Sequence, residues 1–390
     1  MRPVSRVLLA AACAAVLVLP LSAAASGRYQ VRNLGSLGGT SSVGAGINNF
    51  GLVTGSSNPP GDQVTHATAW LFGSIFDLGT LGGPNSAVVF PVKNNYGLIA
   101  GVAETDRLDP NGESWSCSAF FPSVTGHTCL GVVWEWGHKR VLPTLGGNNG
   151  FAAGINDRGQ VVGWAETARH DPTCDPRSGQ MLQFLPTVWG PDKDQVRALP
   201  LLDGDSSGAA VAINNRGQVV GISGDCDQAV GRFTARHAVL WDKGGIVVLG
   251  DLGGVAWNTP VAINQHGDVV GFANVPGGAT PGSVHEHAFL WTRRDGMRDL
   301  GTLPGDTHSQ ALGINDRGQV VGLSYGGTAG LRAFLWENGV MKDLNTLVAP
   351  GYADHLLFAN DVDDGGRITG QAVNAEGSVA FAFLAVPDGM

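Results

Sequence analysis

The sequence predicts an all-β protein, a seven-bladed β-propeller of four-stranded antiparallel blades, and three observations predict it. First, an Asn-x-x-Gly turn between short apolar runs recurs along the chain, and each copy closes on a glycine: Gly55, Gly101, Gly163, Gly221, Gly271, Gly322 and Gly370. Second, neighbouring copies lie about fifty residues apart, the period of a blade with four strands. Third, the two ends are incomplete in complementary ways. Past its leader, the chain opens with a fourth strand that has no hairpin before it. It ends after a third strand that has no fourth strand following.

Each part of the unit has its own signature. The hairpin is clearest at Gly313-Ile314-Asn315-Asp316-Arg317-Gly318-Gln319-Val320-Val321-Gly322 and at Gly154 to Gly163. Asn opening the turn can hydrogen-bond the backbone ahead of it, and Gly at the fourth position takes positive φ. These residues therefore read as turn chemistry. The copy at Asp363-Asp364-Gly365-Gly366 has drifted. A third strand follows each hairpin, as in His287-Ala288-Phe289-Leu290-Trp291 and Ala333-Phe334-Leu335-Trp336, with a looser copy at Ala380-Phe381-Ala382-Phe383. A Trp recurring at one strand position reads as core between packed sheets. The fourth strand ends in a glycine turn, as in Asp299-Leu300-Gly301-Thr302-Leu303. The same pattern opens the chain past its leader at Val31-Arg32-Asn33-Leu34-Gly35, so this piece is expected to complete the last blade. Closure would remove the exposed edges that the alternative, an open β-solenoid, would have to cap.

Composition agrees. The 59 glycines show no Gly-X-Y period, which excludes collagen and suits tight turns. Hydrophobic residues make up 43% and charged residues 15%, too apolar for disorder. A net charge of −9 gives no nucleic-acid footprint.

At the N-terminus, Arg2 and Arg6 precede an apolar run from Val7 to Leu21 and the small residues Ala23-Ala24-Ala25. This reads as a secretory signal peptide over 1–25, leaving a single propeller over 26–390. Lipidation at Cys13 is the lesser alternative, and no later segment is long and apolar enough to span a membrane. The chain is expected to be secreted, extracellular or periplasmic, and monomeric. Beyond the leader lie Cys117, Cys129, Cys174 and Cys226. An even count in an exported chain favours disulfides, and four cysteines allow three pairings. Cys117 and Cys129 share a loop, so they are paired, leaving Cys174 with Cys226.

The repeats resemble the HAF repeat family of extracellular bacterial repeat proteins, named for a His-Ala-Phe motif. His287-Ala288-Phe289 matches that motif, and His237-Ala238-Val239 and Arg332-Ala333-Phe334 each depart from it by one residue. The resemblance implies export and repetition and transfers no catalytic residue.

Loops between second and third strands emerge on one face. Three are long, at about 102–130, 164–185 and 222–236, and they hold all four of these cysteines. Long loops on a rigid scaffold commonly carry function. The candidate ligand-binding residues are therefore Trp115, Phe120, Phe121, Asp109, His170, Asp171, Arg232 and Arg236. Glu104-Thr105-Asp106-Arg107-Leu108-Asp109-Pro110 and Glu166-Thr167-Ala168-Arg169-His170-Asp171-Pro172 echo each other, which suggests an inherited loop structure as much as a site.

Catalytic patterns are weak. Gly204-Asp205-Ser206-Ser207-Gly208 fits Gly-x-Ser-x-Gly but falls at a repeat turn, not at a strand-to-helix elbow. His285-Glu286-His287 could place two imidazoles on one strand face, with no third metal ligand evident. Asp203-x-Asp205, Asp225-x-Asp227 and Asp361-x-Asp363-Asp364 could offer oxygens to calcium, although none completes an EF-hand loop. No catalytic residue, no metal site and no cofactor is assigned. The expected function is a non-enzymatic module that binds an extracellular protein or glycan. The alternative is a secreted hydrolase or lyase acting on extracellular polysaccharide or peptide.

Overall fold

The recurring glycines fold the way they do because strands approach unusually closely where they fall. Gly163 pairs with Ala152 at a bulge in the neighbouring strand, and a Cβ on Gly163 would collide with the Phe151 carbonyl oxygen. Gly55, Gly221, Gly271, Gly322 and Gly370 stand opposite equivalent bulges, against the carbonyls of Val43, Ala209, Thr259, Gln310 and Phe358. A bulge bends and twists its strand, and only glycine admits such an approach.

The computed structural model describes residues 28–113, 119–135, 137–175, 179–192, 194–226, 235–277 and 284–389. After β1 (Tyr29–Gly35), blade 1 comprises β2 (Ser42–Ile47), β3 (Val53–Ser57), β4 (His66–Leu71) and β5 (Ser74–Asp77). Blade 2 comprises β6 (Gly82–Ala87), β7 (Ile99–Leu108), β8 (His127–Glu135) and β9 (His138–Val141). Blade 3 comprises β10 (Gly146–Ile155), β11 (Val161–His170), β12 (Leu182–Trp189) and β13 (Val196–Ala198). Blade 4 comprises β14 (Ser207–Ile213), β15 (Val219–Gly224), β16 (His237–Asp242) and β17 (Gly245–Gly250). Blade 5 comprises β18 (Thr259–Ile263), β19 (Val269–Asn274), β20 (Glu286–Thr292) and β21 (Gly296–Gly301). Blade 6 comprises β22 (His308–Ile314), β23 (Val320–Tyr325), β24 (Arg332–Glu337) and β25 (Val340–Asp343). Blade 7 comprises β26 (His355–Val362), β27 (Ile368–Val373) and β28 (Ala380–Pro387). Among the described residues the one helical element is a short 3-10 turn at Leu344–Leu347.

Seven four-stranded sheets result, and the last has the order β1-β28-β27-β26. β1 is thus the outer strand of blade 7, antiparallel to β28, with Val31 opposite Ala385. The expected closure is present. Blade 7 also meets blade 1 directly: Asn360 Nδ2 donates to Gly44 O at 2.9 Å and Gln371 Nε2 donates to Ser42 O at 3.0 Å. Arg28, just before β1, is ion-paired with Glu337 of blade 6.

The first strand of each blade is inner and the fourth outer. Inner β14 is buried throughout, whereas outer β17 is half solvated. The recurrent Trp70, Trp134, Trp189, Trp241, Trp291 and Trp336 are all buried between blades, as expected. The seventh copy lies two residues later than its spacing suggests. Phe383 faces Gly370 as Phe334 faces Gly322, so Ala385 takes the Trp position.

Candidate functional site

The connections divide between two faces. The Asn-x-x-Gly turns, joining first to second strands, lie on one face, here the turn face. The long loops, joining second to third strands, lie on the other, here the loop face.

On the loop face, much of what the sequence marks as loop is strand. β7 runs on to Leu108, and β8 starts at His127; β11 runs on to His170, and β12 starts at Leu182. The two echoing segments form the same structure twice. Glu104 Oε2 accepts from Asn85 N and Nδ2, both at 2.9 Å. Glu166 Oε2 accepts from Asn149 N at 2.8 Å and from its Nδ2 at 3.2 Å. Asp109 Oδ1 accepts from Asn111 N and Glu113 N, and Asp171 Oδ1 from Thr173 N. Glu104, Glu166 and Asp109 thus cap backbone N–H groups of the buried Asn85, Asn149 and Glu113.

The Asp109 end meets the blade 3 copy, where Asn149 Nδ2 donates to Asp109 Oδ2 at 2.8 Å. Glu113 reaches from blade 2 to accept from Leu182 N and Met181 N of blade 3, and Gln180 Nε2 donates to Glu166 Oε1 at 3.0 Å. Burial first, and then the neighbouring Glu113, push the Glu166 carboxyl up to about 7.

Cys174 and Cys226 are disulfide-bonded, with Cα atoms 4.6 Å apart, and so join the loops of blades 3 and 4 as the sequence suggests. Cys129 is also disulfide-bonded; its expected partner Cys117 lies outside the described residues. Asp171 lies beside the Cys174 and Cys226 sulfurs, a grouping that could suggest a metal. Those sulfurs are bonded to each other, and the Asp171 oxygens accept from Thr173 and Ser207 Oγ. Apart from Asp203, the described carboxylates of the possible calcium turns are likewise engaged by protein, Asp364 by Asn49 and Asp316 N. Asp205 accepts from Ser223 and contacts His237, Asp225 pairs with Arg236, Asp361 with Lys93 and Asp363 with Arg367. Asp227 lies outside the described residues.

Of the candidate ligand-binding residues, Trp115 and Arg232 lie outside the described residues. Phe121 is buried, and Phe120 packs edge-on or tilted against Phe90 and Phe151 at 6.2 and 5.3 Å. Phe151 stacks on Trp164 at 4.2 Å. This aromatic group belongs to a core cluster drawn from the inner strands of blades 2 to 5. Asp109 and Asp171 are buried in the caps described above, whereas His170 and Arg236 are exposed. His285 packs against His308 with ring centroids 5.1 Å apart, His287 pairs with Asp299, and Glu286 accepts from Gln310 and Tyr325.

The turn face carries features that the sequence reading passes over. Each turn's opening Asn donates through Nδ2 to the equivalent carbonyl of the next blade, from Asn48 to Asn94 O at 3.1 Å through to Asn315 to Asp363 O at 2.8 Å. A second belt is complete. Backbone N–H groups of Asn49, Asn95, Asp157, Asn215, Gln265, Asp316 and Asp364 each donate to the next of these side chains, and Asp364 N returns to Asn49 Oδ1 at 3.0 Å. One hydrogen bond of this kind contributes about 1 kcal/mol, so the belt binds the ring as a unit. Such pairing was not visible in sequence because its members lie some fifty residues apart.

The belt surrounds a polar cavity of about 150 Å³ at the centre of the turn face. Lys93, Asn49, Asn95, Asn215, Gln265, Asp316 and Asp364 line it. Lys93 is held by the buried Asp361 and by Val362 O. Burial pushes the Asp361 carboxyl up, and Lys93 opposes that rise. The belt engages Gln265 Oε1 and Asp316 Oδ1. Gln265 Nε2 and Asp316 Oδ2 take no hydrogen bond from the protein among the described residues. Neighbouring blades 5 and 6 therefore each contribute an unengaged group, an amide donor and a carboxylate acceptor, on residues that line the cavity.

No protein-family model matches this chain, and no curated protein sequence matches it significantly. Several solved structures do. The β-propeller domain of the trilobed protease from Pyrococcus furiosus is 11% identical with a TM-score of 0.50, over 88% of this chain and 95% of that one. That domain is described as having an open velcro topology, whereas here β1 pairs with β28. The Pyrococcus horikoshii acylaminoacyl peptidase is 14% identical with a TM-score of 0.47, over 88% of this chain and 51% of that one. Trypanosoma rangeli sialidase is 9% identical with a TM-score of 0.39, over 87% of this chain and 52% of that one. At 11% identity the likeness to the first of these is one of fold, a β-propeller. Among the described residues no helix is long and apolar enough to cross a membrane.

Proposed function

We propose that this chain is an exported, non-enzymatic binding module that takes a hydroxyl-rich ligand, a glycan, at the turn-face mouth. The observation that carries this reading is that Gln265 and Asp316, from neighbouring blades, line the polar cavity with Gln265 Nε2 and Asp316 Oδ2 unengaged by the described protein. A sugar hydroxyl both donates and accepts, so two neighbouring hydroxyls would satisfy the amide donor and the carboxylate acceptor together. The other belt side chains hold these two in place. The basic and apolar leader, the His-Ala-Phe repeats and the Cys174–Cys226 disulfide support export to an oxidising compartment. The hydrolase alternative would need a paired acid and base facing substrate; the loop-face carboxylates cap backbone amides, and at the mouth Asp364 is engaged through both oxygens, which leaves Asp316 Oδ2 alone.

The test is a glycan-library screen followed by titration of the best ligand. Asp316→Asn keeps the oxygen that accepts from Gln265 N and turns the free acceptor into a donor. It is expected to weaken binding about tenfold or more, as for a hydrogen bond to a charged group, without changing the circular dichroism spectrum. Unchanged affinity in Asp316→Asn, with loss in a His170→Ala/Arg236→Ala control, would return the site to the loop face. Cleavage of the glycan during the screen would favour the hydrolase.

A further inference from the structure

Blades 1 and 2 differ from the rest of the ring on the turn face. At the third turn position blades 3 to 6 carry Arg158, Arg216, His266 and Arg317, while blades 1 and 2 carry Phe50 and Tyr96, 68% and 69% exposed. The outer hairpin of blade 1 turns through Phe72 and Gly73, both at positive φ, where blade 6 uses Asn338 and Gly339. Asn suits that position and a bulky aromatic does not, yet Phe72 stands there 89% exposed.

Beside these tips a groove of about 650 Å³ opens between the two blades. Leu52, Leu71, Phe76, Leu78, Ile99 and Trp134 form its walls, with Asp77, His138 and Lys139 also lining it. Its origin lies in the repeat. In blades 3 and 4 the recurrent Trp donates through Nε1 to a proline carbonyl of the preceding blade, Trp189 to Pro143 O at 2.8 Å and Trp241 to Pro200 O at 2.7 Å. The equivalent residue ahead of Trp134 is Gly79, at φ 68, and the buried Trp134 Nε1 has no acceptor. Lys139 Nζ donates to Thr80 O at 2.7 Å and has no carboxylate partner among the described residues. That leaves a cation with donors to spare.

We propose that this groove binds a long-chain alkyl carboxylate, the chain lying between blades 1 and 2 and the head group at Lys139. The volume falls within the range of small-molecule sites, which pair apolar walls with a few placed polar groups. The apolar walls select a hydrocarbon body. Lys139, which has no carboxylate partner among the described residues, selects an anionic head, while the Asp77 carboxylate in the same lining is already engaged by His66 and Gly79 N. This site is separate from the central mouth, so either can fail without the other.

Dodecanoate, kept below its micelle concentration, is the probe, titrated by calorimetry into the full exported chain, with dodecanol as the uncharged comparison. The wild type is expected to bind one dodecanoate. Lys139→Gln should weaken dodecanoate about tenfold, as for one hydrogen bond to a charged group, and leave dodecanol unchanged. Leu71→Trp should fill the groove and abolish binding of both, with glycan binding at the mouth intact. No dodecanoate binding by the wild type, or an equal effect of Lys139→Gln on both probes, overturns the proposal. A dimer in sedimentation that Leu71→Trp dissociates would also overturn it, by making a second copy the occupant.

Discussion

The loop face of blades 2 to 4 and the turn face of the whole ring are built in opposite ways. The loop face varies most in sequence and is the more firmly closed: a disulfide joins blades 3 and 4, buried carboxylates cap amides across blades 2 and 3, and Phe120 enters the aromatic core. The turn face keeps the Asn-x-x-Gly turn in six of the seven blades, yet it holds the polar mouth, the unengaged Gln265 and Asp316 groups and the apolar groove. The difference teaches that departures from a repeat can be reinforcement, as on the loop face, while a position the repeat keeps, such as Asp316, can carry an unengaged group. What distinguishes the turn face is free hydrogen-bonding capacity at its mouth.

Removing β1 should have the largest effect, because it damages both faces at once. Deleting Tyr29–Gly35 takes the fully buried Tyr29 out of blade 7 and exposes the edge of β28, while the turn belt runs through Asp364 of that blade. Aggregation on size exclusion and loss of a single cooperative melt are expected. An unchanged melt would mean the ring does not depend on closure.

The disulfide sharpens the comparison from the loop side. Replacing Cys174 and Cys226 with Ser removes a link across 52 residues. On the chain-entropy model that costs up to about 4 kcal/mol, read as a drop in denaturation midpoint. Glycan binding at the mouth of the folded variant should persist; its loss would tie the two faces together.

Glu166 gives a smaller, pH-dependent effect. Its carboxyl stands at about 7 in the fold against an ordinary 4.5. The protonated form is favoured in the folded state, so the contribution is fully present below about 4.5 and is lost as pH rises through 7. Over that window the wild type should lose on the order of 3 kcal/mol relative to Glu166→Gln. Denaturation of both proteins at pH 5 and pH 8 checks the sign, and parallel pH dependence would contradict it.

Blade number, strand order and closure were legible because Val31 to Gly35 repeats the fourth-strand pattern and because glycine and Trp recur at fixed places. The seventh Trp position was misplaced by two residues because Ala385 stands there and Phe383 mimics the aromatic of the motif. The long segments following Gly101 and Gly163 read as loops because their strands carry charged residues; Glu104 and Glu166 are strand residues that bury their carboxylates against Asn85 and Asn149. The Cys174–Cys226 pairing followed from elimination. The belt through Asn49, Asp157 and Asp316 was not legible, since turn chemistry alone explains those residue types and the partner of each lies a blade away.

Hydrogen–deuterium exchange with the best glycan from the screen tests the open turn face most directly. The account predicts slowed exchange at the turns 264–267 and 315–318 on binding, with the loop-face segments unchanged. Slowed exchange confined to 102–130 and 164–185, with those turns unaffected, would contradict it.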